Sequence, residues 1–212
     1  MSQPVAIFDF DDTLLRGDSF RLLVRWLIER GGGRLPRAWP EIGRHGGVPK
    51  TDRAVLKSLL LALFKTRVPG RWESLVQDFR DEVLIGRLIP EVMGELRALR
   101  ATHAVFVVSA SPQFYLDPLR EHLEVPVIGT AITVAPNGTG LSVQGSNCVA
   151  LLKLERLAAL GHVTATSVID VVASDHVRDL SLMERARRPL AVRPEPRLRK
   201  VAAARGWQIL DP

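Results

Sequence analysis

Short apolar runs recur along the chain, each stopping abruptly at a polar or small residue, and helix-like patterns fill most of the intervals. The first run, Val5-Ala6-Ile7-Phe8, passes directly into Asp9-Phe10-Asp11-Asp12-Thr13. Unbroken apolarity over so few residues predicts a strand buried on both faces, as in a parallel sheet. A second run at 104–108 ends in Ser109-Ala110-Ser111-Pro112, and a third at 168–175 holds Asp170 inside and Asp175 at its tip. Residues 190–192 and 207–210 give two more short strands. Residues 126–134 and 140–143 flank an Asn137-Gly138 pair, a hairpin-turn signal.

Between these runs the spacing changes to that of helices. Phe20, Leu23, Val24 and Leu27 predict a helix from Asp18-Ser19 to about residue 30, stopped by Gly31-Gly32-Gly33. The Pro- and Gly-bearing stretch 34–50 reads as an irregular connection. Further helices are expected over 52–66, 71–84 and, with Pro90 in its first turn, 90–100. Three more follow at 113–123, 148–160 and 197–205. The expected fold is α/β, a doubly wound, mostly parallel Rossmann-like sheet. Its core is formed by residues 1–14 and 89–212, with a helical cap, 15–88, inserted after the first strand.

With 212 residues, 46% hydrophobic and 25% charged, the chain can bury a sizeable core. The single cysteine, Cys148, rules out an intrachain disulfide framework and fits a reducing compartment. No secretory signal pattern precedes the first strand, and the longest purely apolar run, residues 59–64, is too short to span a bilayer. A cytoplasmic protein is therefore expected.

The net charge of +6 is unevenly spread: residues 15–66 hold eleven Lys/Arg against four Asp/Glu, the rest 18 against 19. A solvated arginine-rich face, capture of an anionic substrate and weak contact with an anionic membrane surface all fit that segment. Trp26 and Trp39 would either reach such a surface or be buried in the cap. No zinc-finger, basic-zipper or clear helix-turn-helix pattern points to sequence-specific nucleic-acid binding.

Asp9 and Asp11 stand two apart, so strand periodicity would aim both at one site and turn Phe10 away. Converging carboxylates repel unless a cation or a shared proton intervenes. An acidic turn whose Asp12 or Thr13 caps the next helix is the simpler alternative. Ser109, followed by small residues and a helix, offers a hydroxyl and amide groups to an anion. Lys153 is the only lysine between residues 66 and 199; a surface role is its ordinary explanation. Asp175 and Asp179 add two carboxylates at another strand end.

The order Asp9-x-Asp11, Ser109, Lys153 and Asp175-x-x-x-Asp179 resembles the four motifs of the haloacid dehalogenase superfamily of phosphohydrolases. Ser109-Ala110-Ser111-Pro112, Asn147-Cys148-x-x-x-x-Lys153 and Pro194-Glu195-Pro196-Arg197-Leu198 extend the resemblance to the branch related to phosphoserine phosphatase, which carries a helical cap after the first motif. The arrangement is also similar to the C-type phosphatidylglycerophosphatases, through the basic cap and the run 59–64 preceding Glu73-Ser74-Leu75.

The resemblance implies a Mg²⁺-dependent phosphatase working through an aspartyl-phosphate, with Asp9 as nucleophile and Asp11 as acid and then base. Ser109 and Lys153 would bind the phosphoryl group. Asp9 and Asp175 would hold the metal by carboxylate, Asp11 by its backbone carbonyl, and Asp179 through water or at one remove. The substrate would be a lipid-headgroup phosphate such as phosphatidylglycerophosphate, or a soluble phosphometabolite such as phosphoserine; a non-catalytic phosphate-binding member is a third possibility. Asp12 and Ala150 depart from positions where glycine is common, and Ser174, His176 and Arg178 also depart from the pattern, which leaves phosphoserine itself in doubt.

Overall fold

The computed structural model describes residues 3–31, 71–134, 141–143 and 148–212. The helix expected over 52–66, the connection 34–50, Trp39, Asn147 and the Asn137-Gly138 turn lie outside the described residues.

The run Val5–Phe8 forms β1, buried throughout. It pairs in parallel with β2 (Ala104–Pro112) on one side and β6 (Ile169–Ser174) on the other. With β3 (Val127–Thr130), β7 (Arg188–Val192) and β8 (Gln208–Leu210) they make a six-stranded parallel sheet in the order β3-β2-β1-β6-β7-β8. The chain winds outward one way from β1 through β2 and β3, then the other way through β6 to β8. Ligands of open α/β sheets bind at such a reversal, beyond the carboxyl ends of the strands. Residues 9, 109 and 175 all follow apolar stretches of the three strands that meet there.

Alternation along the strands divides the core into two layers. Ala6, Phe8, Val105, Val107, Val171, Ala173, Leu190 and Val192 face one apolar cluster. Val5, Ile7, Phe106, Val108, Val172 and Ala191 face the other. The first cluster continues into helix α1 (Ser19–Gly31), through Leu23, Val24, Trp26 and Leu27, and into α2 (Trp72–Phe79), through Leu75, Val76 and Phe79. The ring of Trp26 lies 5.5 Å from that of Phe79, and its indole N–H donates to Glu82 at 3.0 Å. Trp26 is thus a packing residue. Two basic side chains of this region, Arg25 and Arg30, are paired, with Glu29 and with Asp78 and Glu82 respectively.

Where the chain leaves for α1 and where it returns, the two segments are hydrogen-bonded to each other. Arg16 N–H donates to the Arg87 carbonyl at 2.9 Å, and Ile89 N–H to the Leu14 carbonyl at 2.8 Å. Between α2 and that return, the helix expected to run to 84 loosens into a π-helical turn, Arg80–Leu84, and a 3-10 turn, Ile85–Arg87. Helix α3 (Pro90–Leu99) then leads to β2.

Other elements differ from expectation for local reasons. β1 stops at Phe8, before the acidic motif, and β2 runs on to Pro112. The helix expected over 113–123 is two, α4 (Gln113–Leu116) and α5 (Leu119–Leu123), interrupted at Asp117-Pro118, because Pro118 has no N–H to continue the helical hydrogen bonds. β4 (Ile132–Val134) and β5 (Leu141–Val143) pair antiparallel as a separate ribbon. Helix α6 (Leu152–Ala159) precedes β6; α7 (Leu180–Met183) and α8 (Pro196–Arg205) flank β7.

Asp170, the acidic residue inside β6, accepts two bonds from Arg188 (2.9 and 2.7 Å) and meets His103 Nε2 at 3.0 Å. These partners outweigh the effect of burial and hold its carboxyl below the usual range. It is a structural ion pair at the sheet end opposite the acidic motif.

Candidate active site

Asp9 is the first residue past β1. Its backbone N–H donates to the Ala173 carbonyl at 2.9 Å, which ties the motif to β6. The chain then turns: the Phe10 carbonyl accepts from Leu14 at 3.0 Å and Leu15 at 2.9 Å, with the Phe10 ring buried. Because the strand has already ended, this turn, and not a period of two, places Asp9 and Asp11. Asp12 takes the left-handed conformation, φ +54°, and its carboxylate accepts the Gly17 N–H at 3.0 Å. Asp is among the few non-glycine residues that adopt this conformation readily.

Lys153 projects from α6 into the interior, 2% exposed, with its ammonium 2.8 Å from Asp9 Oδ1 and 2.7 Å from Asp179 Oδ2. Burial alone would lower its pKa, but the two carboxylates more than offset that and raise it. One ammonium cannot neutralise two acids. Asp179 is the better satisfied, accepting also from Ser174 Oγ at 2.9 Å and Ala150 N–H at 3.0 Å, and its pKa falls despite burial. Asp9 is left with the excess, and burial pushes it up to about 6.

Asp175 follows β6 and accepts from the buried Thr13 hydroxyl at 3.3 Å. Burial, then the nearby charges of Asp9 and Asp12, raises it to about 7. Asp11 turns toward β2. Its Oδ2 accepts from Ser109 Oγ at 3.2 Å and Ser111 Oγ at 2.6 Å, and its Oδ1 from the Ser19 N–H at 2.6 Å. Burial raises its pKa, with repulsion from Asp18 adding to it.

The structure therefore gathers Asp9, Asp11, Ser109, Lys153, Asp175 and Asp179 at the sheet's switch point. Four participants were given no role at the site from the sequence, Thr13 having been expected at most to cap a helix. Ser111 shares a face with Ser109 two residues earlier on β2, so strand period could have found it. Ser19, Tyr115 and Thr13 act through contacts distant in sequence and leave no local signal. His176 Nδ1 lies 3.3 Å from Glu195 and accepts the Arg178 N–H at 3.1 Å.

Two carboxylates held at raised pKa at adjacent strand tips form a site that a hard cation would relieve. Among the described residues no three His, Cys, Asp or Glu side chains form a ready cage. Mg²⁺ does not require one, since it binds through one or two carboxylates and completes its shell with water and phosphate oxygens. The oxygen donors present fit that ion.

The haloacid dehalogenase-like hydrolase family matches residues 6–184, and the chain belongs to that family. A histidinol-phosphatase from Neisseria meningitidis serogroup C (strain 8013) is 25% identical, over 98% of both chains. A protein of unknown function from Bordetella pertussis Tohama I is 26% identical and superposes with a TM-score of 0.84, covering 100% of this chain and 99% of the other. A phospho-aspartyl intermediate analogue of phosphoserine phosphatase shares the fold, with a TM-score of 0.58 and 15% identity over 99% of this chain and 93% of its own. Among the described residues no helix is long and apolar enough to cross a membrane.

Proposed function

We propose that this hydrolase is a phosphatase that removes phosphate from a small soluble metabolite through an aspartyl-phosphate. The observation that carries the reading is the placement of Lys153 against Asp9. A buried ammonium beside a buried carboxylate equips that carboxylate to approach a phosphoryl group, whose negative oxygens would otherwise repel it.

Asp9 attacks phosphorus, and the bond to the ester oxygen breaks. Asp11, on the other side of the motif, gives the departing oxygen its proton. It then takes a proton from the water that hydrolyses the acyl phosphate. Lys153 holds the phosphoryl charge, Asp179 orients Lys153, and Ser109 offers its hydroxyl to a phosphoryl oxygen. Mg²⁺, held by the carboxylates of Asp9 and Asp175 and the Asp11 carbonyl, would neutralise and orient the phosphoryl group. The segment 15–88 is the cap that selects the substrate.

The histidinol-phosphatase relative favours a soluble monoester over a lipid headgroup. The burial of Trp26 and the pairing of Arg25 and Arg30 also remove part of the case for docking on an anionic surface. The test is phosphate release with Mg²⁺ from histidinol phosphate, phosphoserine and phosphatidylglycerophosphate. A soluble ester is expected to be turned over fastest. Fastest turnover of the lipid, or none with any ester, would overturn the reading.

A further inference from the structure

The hydrogen bonds of Asp11 are ordered by proton counting. Each carboxylate oxygen has room for about two donors, and each hydroxyl has one proton to give. Ser111 gives its proton to Asp11 Oδ2 at 2.6 Å, so toward Ser19 Oγ, 2.9 Å away, Ser111 can only accept. Ser19 then has no proton left for Tyr115, whose hydroxyl lies 3.0 Å away, and must accept from it. With Ser111 as the donor to Asp11, the direction runs Tyr115 to Ser19 to Ser111 to Asp11. All three hydroxyl residues are buried, and Tyr115 is clamped edge-on by Phe79 at 5.8 Å and Phe114 at 5.2 Å.

At its far end the ladder meets the longer bond from Ser109, 3.2 Å, on the same oxygen. Ser109 is therefore the donor that can leave for a phosphoryl oxygen while Ser111 keeps hold of Asp11. Among the described hydrogen bonds Oδ1 accepts the Ser19 N–H at 2.6 Å, which leaves it room for a proton.

We infer that Tyr115 is a positioning residue for the proton transfer. Through Ser19 and Ser111 it keeps Asp11 Oδ2 an acceptor, so that the proton delivered to the leaving group is carried on Oδ1. This rests on the phosphatase reading and on Asp11 as its acid. The ladder also explains two buried serines at the end of β2 where one would serve the phosphate, and a buried phenol in a helix that otherwise offers the site nothing.

The experiment is the dependence of kcat/KM on leaving-group basicity for 4-substituted phenyl phosphates, a measure that excludes the later hydrolysis of the acyl phosphate. A good leaving group such as 4-nitrophenolate departs without a proton, whereas a basic one needs the acid. Tyr115→Phe, which keeps the ring contacts, is expected to steepen the dependence, so that the most basic phenol loses about tenfold more than 4-nitrophenol. Ser111→Ala should do the same, and Asp11→Asn should do so more strongly. A parallel fall across the series in both ladder variants, or no fall, would overturn the proposal. If Tyr115→Phe does not fold, Ser111→Ala decides. A parent enzyme that releases phosphate from none of the esters would overturn the phosphatase reading and this inference with it. An Asp11→Asn slope like the parent's would overturn the acid assignment.

Discussion

Lys153 Nζ lies 2.7 Å from Asp179 Oδ2 with both side chains buried, and the same ammonium reaches Asp9 at 2.8 Å. The lysine is thus an internal counter-ion for two strand tips, in spite of its position on a helix with an exposed face. Removing one partner of such a pair strands the other charges away from water.

Lys153→Met is therefore expected to cost about 3–5 kcal/mol near neutral pH, the scale of a broken buried ion pair. Activity should fall at least about 100-fold. The loss of stability relative to the parent should shrink on acidification, because protonation of Asp9 and Asp179 removes the stranded charges. Urea unfolding of both proteins at two pH values checks this. A difference that is the same at both, or larger in acid, would contradict it.

Asp9→Asn and Asp11→Asn should fail differently. Asp9→Asn removes the nucleophile and should abolish both turnover and the phosphoenzyme that hydroxylamine cleaves. Asp11→Asn keeps its backbone carbonyl but loses the proton shuttle, so turnover should fall by about 100-fold or more while Mg²⁺ still binds. Rapid-quench trapping with labelled substrate separates the two. Near-parental phosphate release by Asp9→Asn would remove the nucleophile assignment.

Much of the sheet could be read in advance because buried parallel strands are short, apolar and abruptly ended, as at Val5–Phe8 and Ile169–Ser174. The strand-end acids, Ser109 and Lys153 were legible by their order along the chain. What sequence could not supply was the set of cross-chain bonds. Nothing local in Tyr115 or Ser19 announces that they meet each other and Ser111, 96 and 92 residues apart respectively. The π-helical turn at Arg80–Leu84, which buries Leu84, likewise has no local signal, whereas the break at Pro118 could have been read from the proline itself.

The departures at Asp12 and Ala150 have a backbone meaning. Both positions, where glycine is common, hold left-handed conformations, φ +54° and +49°. Alanine has no side-chain group to compensate, so Ala150→Gly should stabilise the fold by about 1 kcal/mol. The Ala150 N–H bond to Asp179 survives the change. Thermal unfolding should show Tm higher by about 2–4 °C. A fall in Tm would show that this strain is not stored in the folded chain.

Gly129 makes the opposite case. A Cβ there would stand 2.5 Å from the Ser111 carbonyl oxygen and 2.9 Å from Leu116 Cδ1. Backbone must move, and the backbone concerned carries Ser109 and Ser111. Gly129→Ala should destabilise by about 1–3 kcal/mol and lower kcat by at least about tenfold in the molecules that remain folded. Normal kcat per folded molecule would show that this end of β2 tolerates displacement.

The raised acids give the metal-free protein an unusual pH profile. Asp9, at about 6, and Asp175, at about 7, hold protons in the folded state at pH values where the unfolded chain has released them. Folding therefore takes up protons, and the stability these groups contribute is full below their model value of 3.8 and is lost as pH rises through 7. Asp170 and Asp179 act oppositely: their lowered values favour folding above 3.8 and lose that contribution as pH falls further. In EDTA the protein should thus be most stable under mildly acidic conditions and lose Tm toward neutrality. Mg²⁺ binds the deprotonated carboxylates, so it should raise Tm strongly at about pH 8 and little at about pH 5, where protons compete. Asp175→Asn should flatten the EDTA profile, because it removes one acid and the repulsion on the other, and should weaken the Mg²⁺ effect. Thermal unfolding across this range, with EDTA and with Mg²⁺, provides the measurement. A Tm in EDTA that climbs from pH 5 to 8, or a Mg²⁺ gain equal at both ends, would show that Asp9 and Asp175 are not the acids that the ion relieves.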